Sequence, residues 1–252
     1  MRGTENLHTR NHPQPTPLSA GPSRLTHPLP VIRGVLETSF VDWPGRLCSI
    51  FFLGGCNFRC PFCHNHPLVL APETLKPFSL QEVLARLSPF KRWLGGICIS
   101  GGEPTLSPGL PAMIAHLKAE GWAIKLDTNG SRPHILEGLV AQKLVDMVAM
   151  DVKAPLVQEK YDRCAGVPVD LQAVKESIRL LQRSGITHEF RMTVLPRFHS
   201  REDIEWWIAE LGPDAQLTLQ NFKPTTTLDP EFLRETGFHP EGFENLKKMI
   251  RT

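Results

Sequence analysis

The chain has 252 residues, 41% hydrophobic and 21% charged, with a formal net charge of +2 at pH 7. That is the composition of a globular protein with room for a sizeable core, and the near-neutral charge argues against nucleic-acid or anionic-membrane partners. No apolar run approaches the roughly 18 residues of a membrane span, and no signal-peptide core is present, so a cytoplasmic protein is expected.

Residues 1–29 read as a separate, disordered segment: Pro13, Pro15, Pro17, Pro22 and Pro28 stand among polar residues with no helix or strand period, and such a stretch buries too little to offset its ordering entropy. His8, His12 and His27 are read as solvated residues of this tail. Residues 30–252 are expected to form one domain. A strand is predicted over 47–53, followed by a helix over 79–93 that Ser79 caps, with Glu82 three residues on. Then come a strand over 96–100, a helix over 107–120 stopped by Gly121, and a strand over 123–127. The pattern continues with a helix over 133–144, a strand over 145–152 and an amphipathic helix over 171–184 stopped by Gly185. A strand over 189–195, a helix over 201–211, a strand over 216–220 and short helix and loop beyond Glu231 complete the chain. Alternating strands and helices imply βαβ units and a parallel sheet. About six units fit, short of a closed eight-unit barrel, which leaves an open doubly wound sheet or an incomplete barrel.

Six cysteines in a cytosolic chain point to metal binding or catalysis rather than to a disulfide framework. Cys56, Cys60 and Cys63 follow the first of these strands with C-x3-C-x2-C spacing. Three thiolates hold most of a metal centre but leave a coordination position open, which suggests a reaction. The competing reading is a structural zinc site completed by Cys48, His64 or His66. Gly101-Gly102-Glu103, Asp127-Thr128-Asn129-Gly130, Asp151 with Lys153, and Arg191 with Thr193 lie at or near the ends of successive strands, where α/β proteins build their sites. Each has a plainer reading: a helix-terminal carboxylate for Glu103, strand-end caps for Asp127, Thr128 and Asp151, and solvated charges for Lys153 and Arg191. Cys48 and Cys98 read as small core residues, Cys164 as a loop thiol, Trp206-Trp207 as packing, and His199 as a loop residue with no support.

The stretch Gly54-Gly55-Cys56-Asn57-Phe58-Arg59-Cys60-Pro61-Phe62-Cys63-His64-Asn65 resembles the cluster loop of radical S-adenosylmethionine (SAM) enzymes. Asp42-Trp43-Pro44-Gly45-Arg46 upstream, and Ser100–Thr105, Leu126–Gly130, Met150–Lys153 and Glu189–Val194 downstream, are similar to segments of glycyl-radical-enzyme activases in the same order. The nearest likeness is to activating proteins of anaerobic ribonucleoside-triphosphate reductases. The resemblance implies an incomplete (βα)6 barrel of parallel strands with outer helices. It implies one 4Fe–4S cluster on Cys56, Cys60 and Cys63, and SAM chelated to the fourth iron. Phe62 would pack near the adenine, Gly101 and Gly102 near the methionyl group, and Glu103 would accept from the SAM ammonium. Asp127, Thr128 and Asp151 would hold a monovalent cation, with Lys153 and Arg191 facing the SAM carboxylate. It further implies a glycyl radical enzyme as partner and a one-electron donor such as flavodoxin or ferredoxin. Two features depart from some activases. No histidine stands in Leu219–Pro224, so Gln220, Asn221 or Lys223 would replace its contact, and no eight-cysteine module separates Cys63 from Gly101. The other readings are an activase of another glycyl radical enzyme, a radical SAM enzyme for a small molecule, such as a deazapurine synthase, and a non-enzymatic iron–sulfur or zinc binding module.

Overall fold

The computed structural model describes residues 27–250, so the proline-rich segment lies, through residue 26, outside the described residues. Seven strands form one sheet in sequence order: β1 (Ile32–Ser39), β2 (Cys48–Leu53), β3 (Gly96–Gly101), β4 (Ile124–Thr128), β5 (Met147–Asp151), β6 (Thr187–Val194) and β7 (Leu217–Asn221). The six strands β2 to β7 run parallel, each joined to the next by helical segments, as the alternating pattern predicts. No pairing joins β1 to β7, so the sheet stays open along one side: an incomplete barrel.

The helices are α1 (His66–Leu70), α2 (Leu80–Leu87), α3 (Leu110–Ala119), α4 (Pro133–Ala141), α5 (Gln158–Ala165), α6 (Leu171–Ser184), α7 (Arg201–Leu211) and α8 (Pro240–Met249). Ser79 caps α2 by accepting from the Glu82 N–H, and Ser200 and Asp203 make a reciprocal capping box on α7; each cap is worth about 1 kcal/mol. The helix predicted over 79–93 ends at Leu87, and Ser88–Phe90 continue as a 3-10 turn around Pro89. Sequence pattern alone missed β1, α1 and α5. β1 is an edge strand, antiparallel to β2, with irregular register on either side of Gly34–Leu36. Its inward and outward residues therefore do not alternate cleanly. Among the described residues no helix is long and apolar enough to cross a membrane.

The period-2 alternation of the strands separates two interiors. Outward residues such as Phe51, Ile97, Ile99, Leu126, Val148 and Phe190 pack beneath the helices in the main core. Inward, a small apolar cluster of Trp43, Cys48, Ile50, Cys98 and Met147 fills the end of the half-barrel where the parallel strands begin. At the opposite rim the inward face turns polar. The registers Phe52↔Ser100, Thr128↔Met150, Asp151↔Arg191 and Thr193↔Gln220 place the strand ends side by side there.

Candidate active site

The cysteine loop leaves β2 at Leu53 and is tied to three elements. The Gly55 N–H donates to Leu68 O of α1 at 2.7 Å, the Arg59 N–H to Ala165 O of α5 at 2.7 Å, and the Asn65 side-chain amide to Gly101 O of β3 at 3.0 Å. Arg59 Nη1 also donates to the carbonyls of Cys56 and Phe58 at 2.6 and 2.8 Å, bracing the turn from within. The close approach to α5 depends on Gly166, which ends the helix at φ +70°: a Cβ there would stand 2.1 Å from Arg59 O.

Two glycines fix how the loop meets β3. A Cβ on Gly102 would lie 1.9 Å from Gly55 O, and one on Gly101, at φ +129°, would lie 2.2 Å from Leu53 O. Both glycines line the cavity, but the missing side chains are demanded first by the protein's own backbone, which the cluster loop presses against them.

All three cysteines line one open cavity of about 230 Å³ at the rim. Phe62 shares that wall, its ring 5.9 Å from Phe198 and 6.5 Å from Phe222. Burial pushes all three thiols up, Cys60 to about 12, while the positive charge of Lys153 draws each of them back. Of the three only Cys60 is buried; Cys56 and Cys63 stay half-buried and open to the cavity. Soft donors converging on a cavity and waiting for positive charge fit an iron–sulfur cluster. Among the described residues no three His, Cys, Asp or Glu side chains come together as a site for a metal ion. In a cluster each cysteine binds a different iron, so its sulfurs stand wider apart than around one metal. The zinc completions are also dispersed: Cys48 lies at the start of β2, His64 pairs with Lys223 O at 2.7 Å, and His66 with Thr226 Oγ1 at 2.8 Å.

The opposite wall carries charge. Asp127, Thr128, Asp151, Lys153 and Arg191 all line the cavity. Arg191 bridges the two carboxylates, with Nε 2.9 Å from Asp151 and a guanidinium nitrogen 3.3 Å from Asp127. Lys153 Nζ stands 3.1 Å from Asp151. Burial pushes the Asp151 carboxyl up, but Arg191 and Lys153 outweigh it and hold the group well below the usual carboxylate range. Burial likewise opposes the charges of Lys153 and Arg191, and their aspartate partners overcome it, keeping both cations charged.

Glu103 does not line this cavity. It is 1% exposed and its carboxylate accepts from four protein donors: Thr105 N–H and Oγ1, Thr128 Oγ1, and Asn129 N–H. Burial pushes its carboxyl up and those hydrogen bonds pull against it. Its visible task is to lock the turn after β3 to the end of β4. Asn129, held in place there, gives its side-chain amide to Asn57 Oδ1 at 3.0 Å and so also braces the cluster loop. Gln220 lines the cavity from β7, its carbonyl oxygen accepting from Thr193 Oγ1 at 3.2 Å; it stands where the missing histidine drew attention.

Sequence reasoning missed three contributors. Asn65, which precedes α1, and Val69 within it line the cavity; the helix is too short to show a period. Lys125, fully buried, points inward from β4 with Nζ 2.5 Å from Asp127 Oδ1. His199 and Cys164, read as loop residues, are buried. Cys164 lies on α5, where burial raises its thiol to about 12. His199 pairs with Lys153 O at 2.9 Å and accepts from the Leu195 N–H at 3.3 Å.

A thiol triad on the loop after the first parallel strand, facing charged strand ends across a half-barrel, defines a class of cluster-bearing α/β enzyme. The chain belongs to the radical SAM superfamily, which matches residues 50–209. Within the superfamily the likeness is to the glycyl-radical-activase group. The chain is 34% identical over 208 residues to a Methanocaldococcus jannaschii protein assigned as a glycyl-radical enzyme activating enzyme, covering 80% of this chain and 84% of that one. It is 32% identical over 147 residues to the pyruvate formate-lyase-activating enzyme of Staphylococcus aureus, covering 54% of this chain and 58% of that one. Among solved structures, Streptococcus suis SuiB shares the fold with a TM-score of 0.60 at 14% identity, over 79% of this chain and 44% of that one. TYW1 shares it with a TM-score of 0.55 at 14% identity, over 81% and 72%. Membership implies a 4Fe–4S cluster and SAM as cofactors, and the thiol triad lining the cavity suits the first of them.

Proposed function

We propose that this protein activates a glycyl radical enzyme, most specifically an anaerobic ribonucleoside-triphosphate reductase, within a single domain beginning near residue 30 and in the cytoplasm. The observation that carries the reading is the facing of the Cys56–Cys60–Cys63 loop and the Asp127–Arg191–Asp151–Lys153 wall across one cavity. Cys56, Cys60 and Cys63 would hold the cluster, leaving one iron for SAM. Bound there and given an electron from a flavodoxin or ferredoxin, the cluster and SAM would supply the radical chemistry for hydrogen abstraction.

The chain's own residues bind and orient. Lys153 and Arg191 offer positive charge to the SAM carboxylate, and Phe62 an apolar face to the adenine. Gly101 and Gly102 give the methionyl end a bare backbone. Glu103 acts from behind by holding Thr128 and Asn129 in place. The open side between β1 and β7 would admit a backbone loop of the partner, and glycine suits hydrogen abstraction there because it brings no side chain.

The test is anaerobic reconstitution followed by incubation with SAM, dithionite and a candidate reductase, read by electron paramagnetic resonance. A glycyl doublet on the reductase is the expected result, absent when Cys60→Ala replaces the wild type. Deoxyadenosine formed with every candidate partner and no glycyl signal would shift the reading to a small-molecule radical SAM enzyme. Zinc in place of iron after reconstitution would reduce it to a metal-binding module.

A further inference from the structure

Lys125 is a charge in a place where charge is costly. It is fully buried on the inward face of the half-barrel, below the rim, with Cys98 Sγ 3.9 Å away. Desolvating an ammonium costs several kcal/mol unless a partner compensates. The partner is Asp127, two residues along the same face, whose other oxygen meets Arg191. The chain of contacts continues through Arg191 to Asp151 and on to Lys153. Three cations thus alternate with two carboxylates along these contacts, and Glu189 adds a third carboxylate that acts on Arg191.

Each of the three side chains read as ligands for a monovalent cation is already engaged within this arrangement. Asp127 is engaged by Lys125 and Arg191, and Asp151 by Arg191 and Lys153. Thr128 Oγ1 donates to Glu103 at 2.7 Å and accepts from the Gly130 N–H at 3.1 Å. A metal ion here would have to displace an ammonium or a guanidinium, and would sit among three like charges. The residues do not fit one.

We infer that Lys125 is a positioning residue that serves as the site's fixed counter-cation, so that SAM binds without a monovalent metal ion. The inference rests on the SAM-binding reading above. It makes a specific demand on a variant: Lys125→Met keeps the side chain's bulk but removes the cation that pairs with Asp127, and a bound potassium ion would take its place. A merely structural lysine would show no such exchange.

The experiment is equilibrium dialysis of SAM with the cluster-reconstituted, unreduced protein, at matched ionic strength, with choline or potassium as the only added cation. Wild type is expected to bind SAM equally in both salts, within about twofold. Lys125→Met is expected to bind about tenfold more weakly in choline, the loss of one charge-assisted contact, and to recover most of that loss in potassium. Lys125→Arg, which keeps the charge, should remain indifferent to the salt. Wild type weakening more than about fivefold in choline, or Lys125→Met matching wild type in both salts, would overturn the inference. If Lys125→Met does not reconstitute, the wild-type and Lys125→Arg comparisons decide it. Absence of SAM binding by wild type in either salt would overturn the site reading as well, and so separates the two failures.

Discussion

The two faces of the sheet are made of opposite materials, and β6 shows the division residue by residue. Phe190, Met192 and Val194 point outward into the main core, while Glu189, Arg191 and Thr193 alternate with them and point inward. Parallel strands covered on both sides are usually apolar throughout. Here the outward face follows that rule and the inward face follows it only at the end where the strands begin, around Trp43, Ile50 and Met147. The outer face holds the protein together; the inner rim spends stability on a charged wall. If that division is right, substitutions one residue apart should separate stability from binding.

The most severe break is where the inner rim meets the cluster loop. Gly102→Ala would set a Cβ 1.9 Å from Gly55 O, so the loop must move away from β3. Displacement on the order of 1 Å at a reacting centre costs about a hundredfold in rate. Reductive SAM cleavage should fall by at least that much, while the thermal unfolding temperature of the cluster-free protein changes little. A variant with normal cleavage would show that the loop is not seated by this contact.

The sharpest comparison is between neighbours. Phe190→Ala empties a fully buried site beneath the helices and should cost about 3–5 kcal/mol in chemical denaturation, with SAM affinity of the folded fraction unchanged. Arg191→Met removes the cation shared by Asp127 and Asp151. It should weaken SAM binding by ten- to a hundredfold, as expected for one or two charge-assisted hydrogen bonds. It should also destabilise by about 1–2 kcal/mol, because each of the two carboxylates loses one of its two cationic partners. Equal effects of both variants on affinity would dissolve the distinction between the faces.

That distinction was partly legible in the sequence. The βα rhythm, the thiol triad and the polar residues at the strand ends all follow from local patterns, namely strand and helix periods, cysteine spacing and glycine. What stayed hidden depended on contacts far apart in the chain. Lys125 sits mid-strand in Ile124-Lys125-Leu126-Asp127, where alternation alone cannot say whether a charge faces water or the inside of a half-barrel. Only the neighbouring strands, and Arg191 sixty-four positions beyond Asp127, settle its side. Glu103 was legible as a functional carboxylate but not as the tie between the turn after β3 and the end of β4, because its donors Thr128 and Asn129 come from that neighbouring strand end. The edge strand β1 hid because its register is irregular, and α1 because five residues show no period.

The smallest expected effect tests the seam between the two faces. His199 is buried beneath the segment that carries Lys153 to the wall. Its Nε2 pairs with Lys153 O, and its Nδ1 accepts from the Leu195 N–H, so the ring is the neutral Nε2–H tautomer. A second proton would have to go on Nδ1, where it would confront the Leu195 donor. Burial accordingly lowers the histidine from its ordinary value, against the pull of the Lys153 carbonyl. The unfolded chain binds this proton more readily than the native one, so stability from His199 is present above the ordinary histidine pKa. It is lost as pH falls from there toward the depressed native value. Between about pH 7.5 and pH 5.5 the wild type should lose on the order of 1 kcal/mol that His199→Gln does not lose. Gln keeps a donor for Lys153 O but takes up no proton. Parallel pH profiles of unfolding free energy for the two proteins would mean that the ring is free to protonate in place. The seam would then be looser than the hydrogen bonds on both its nitrogens indicate.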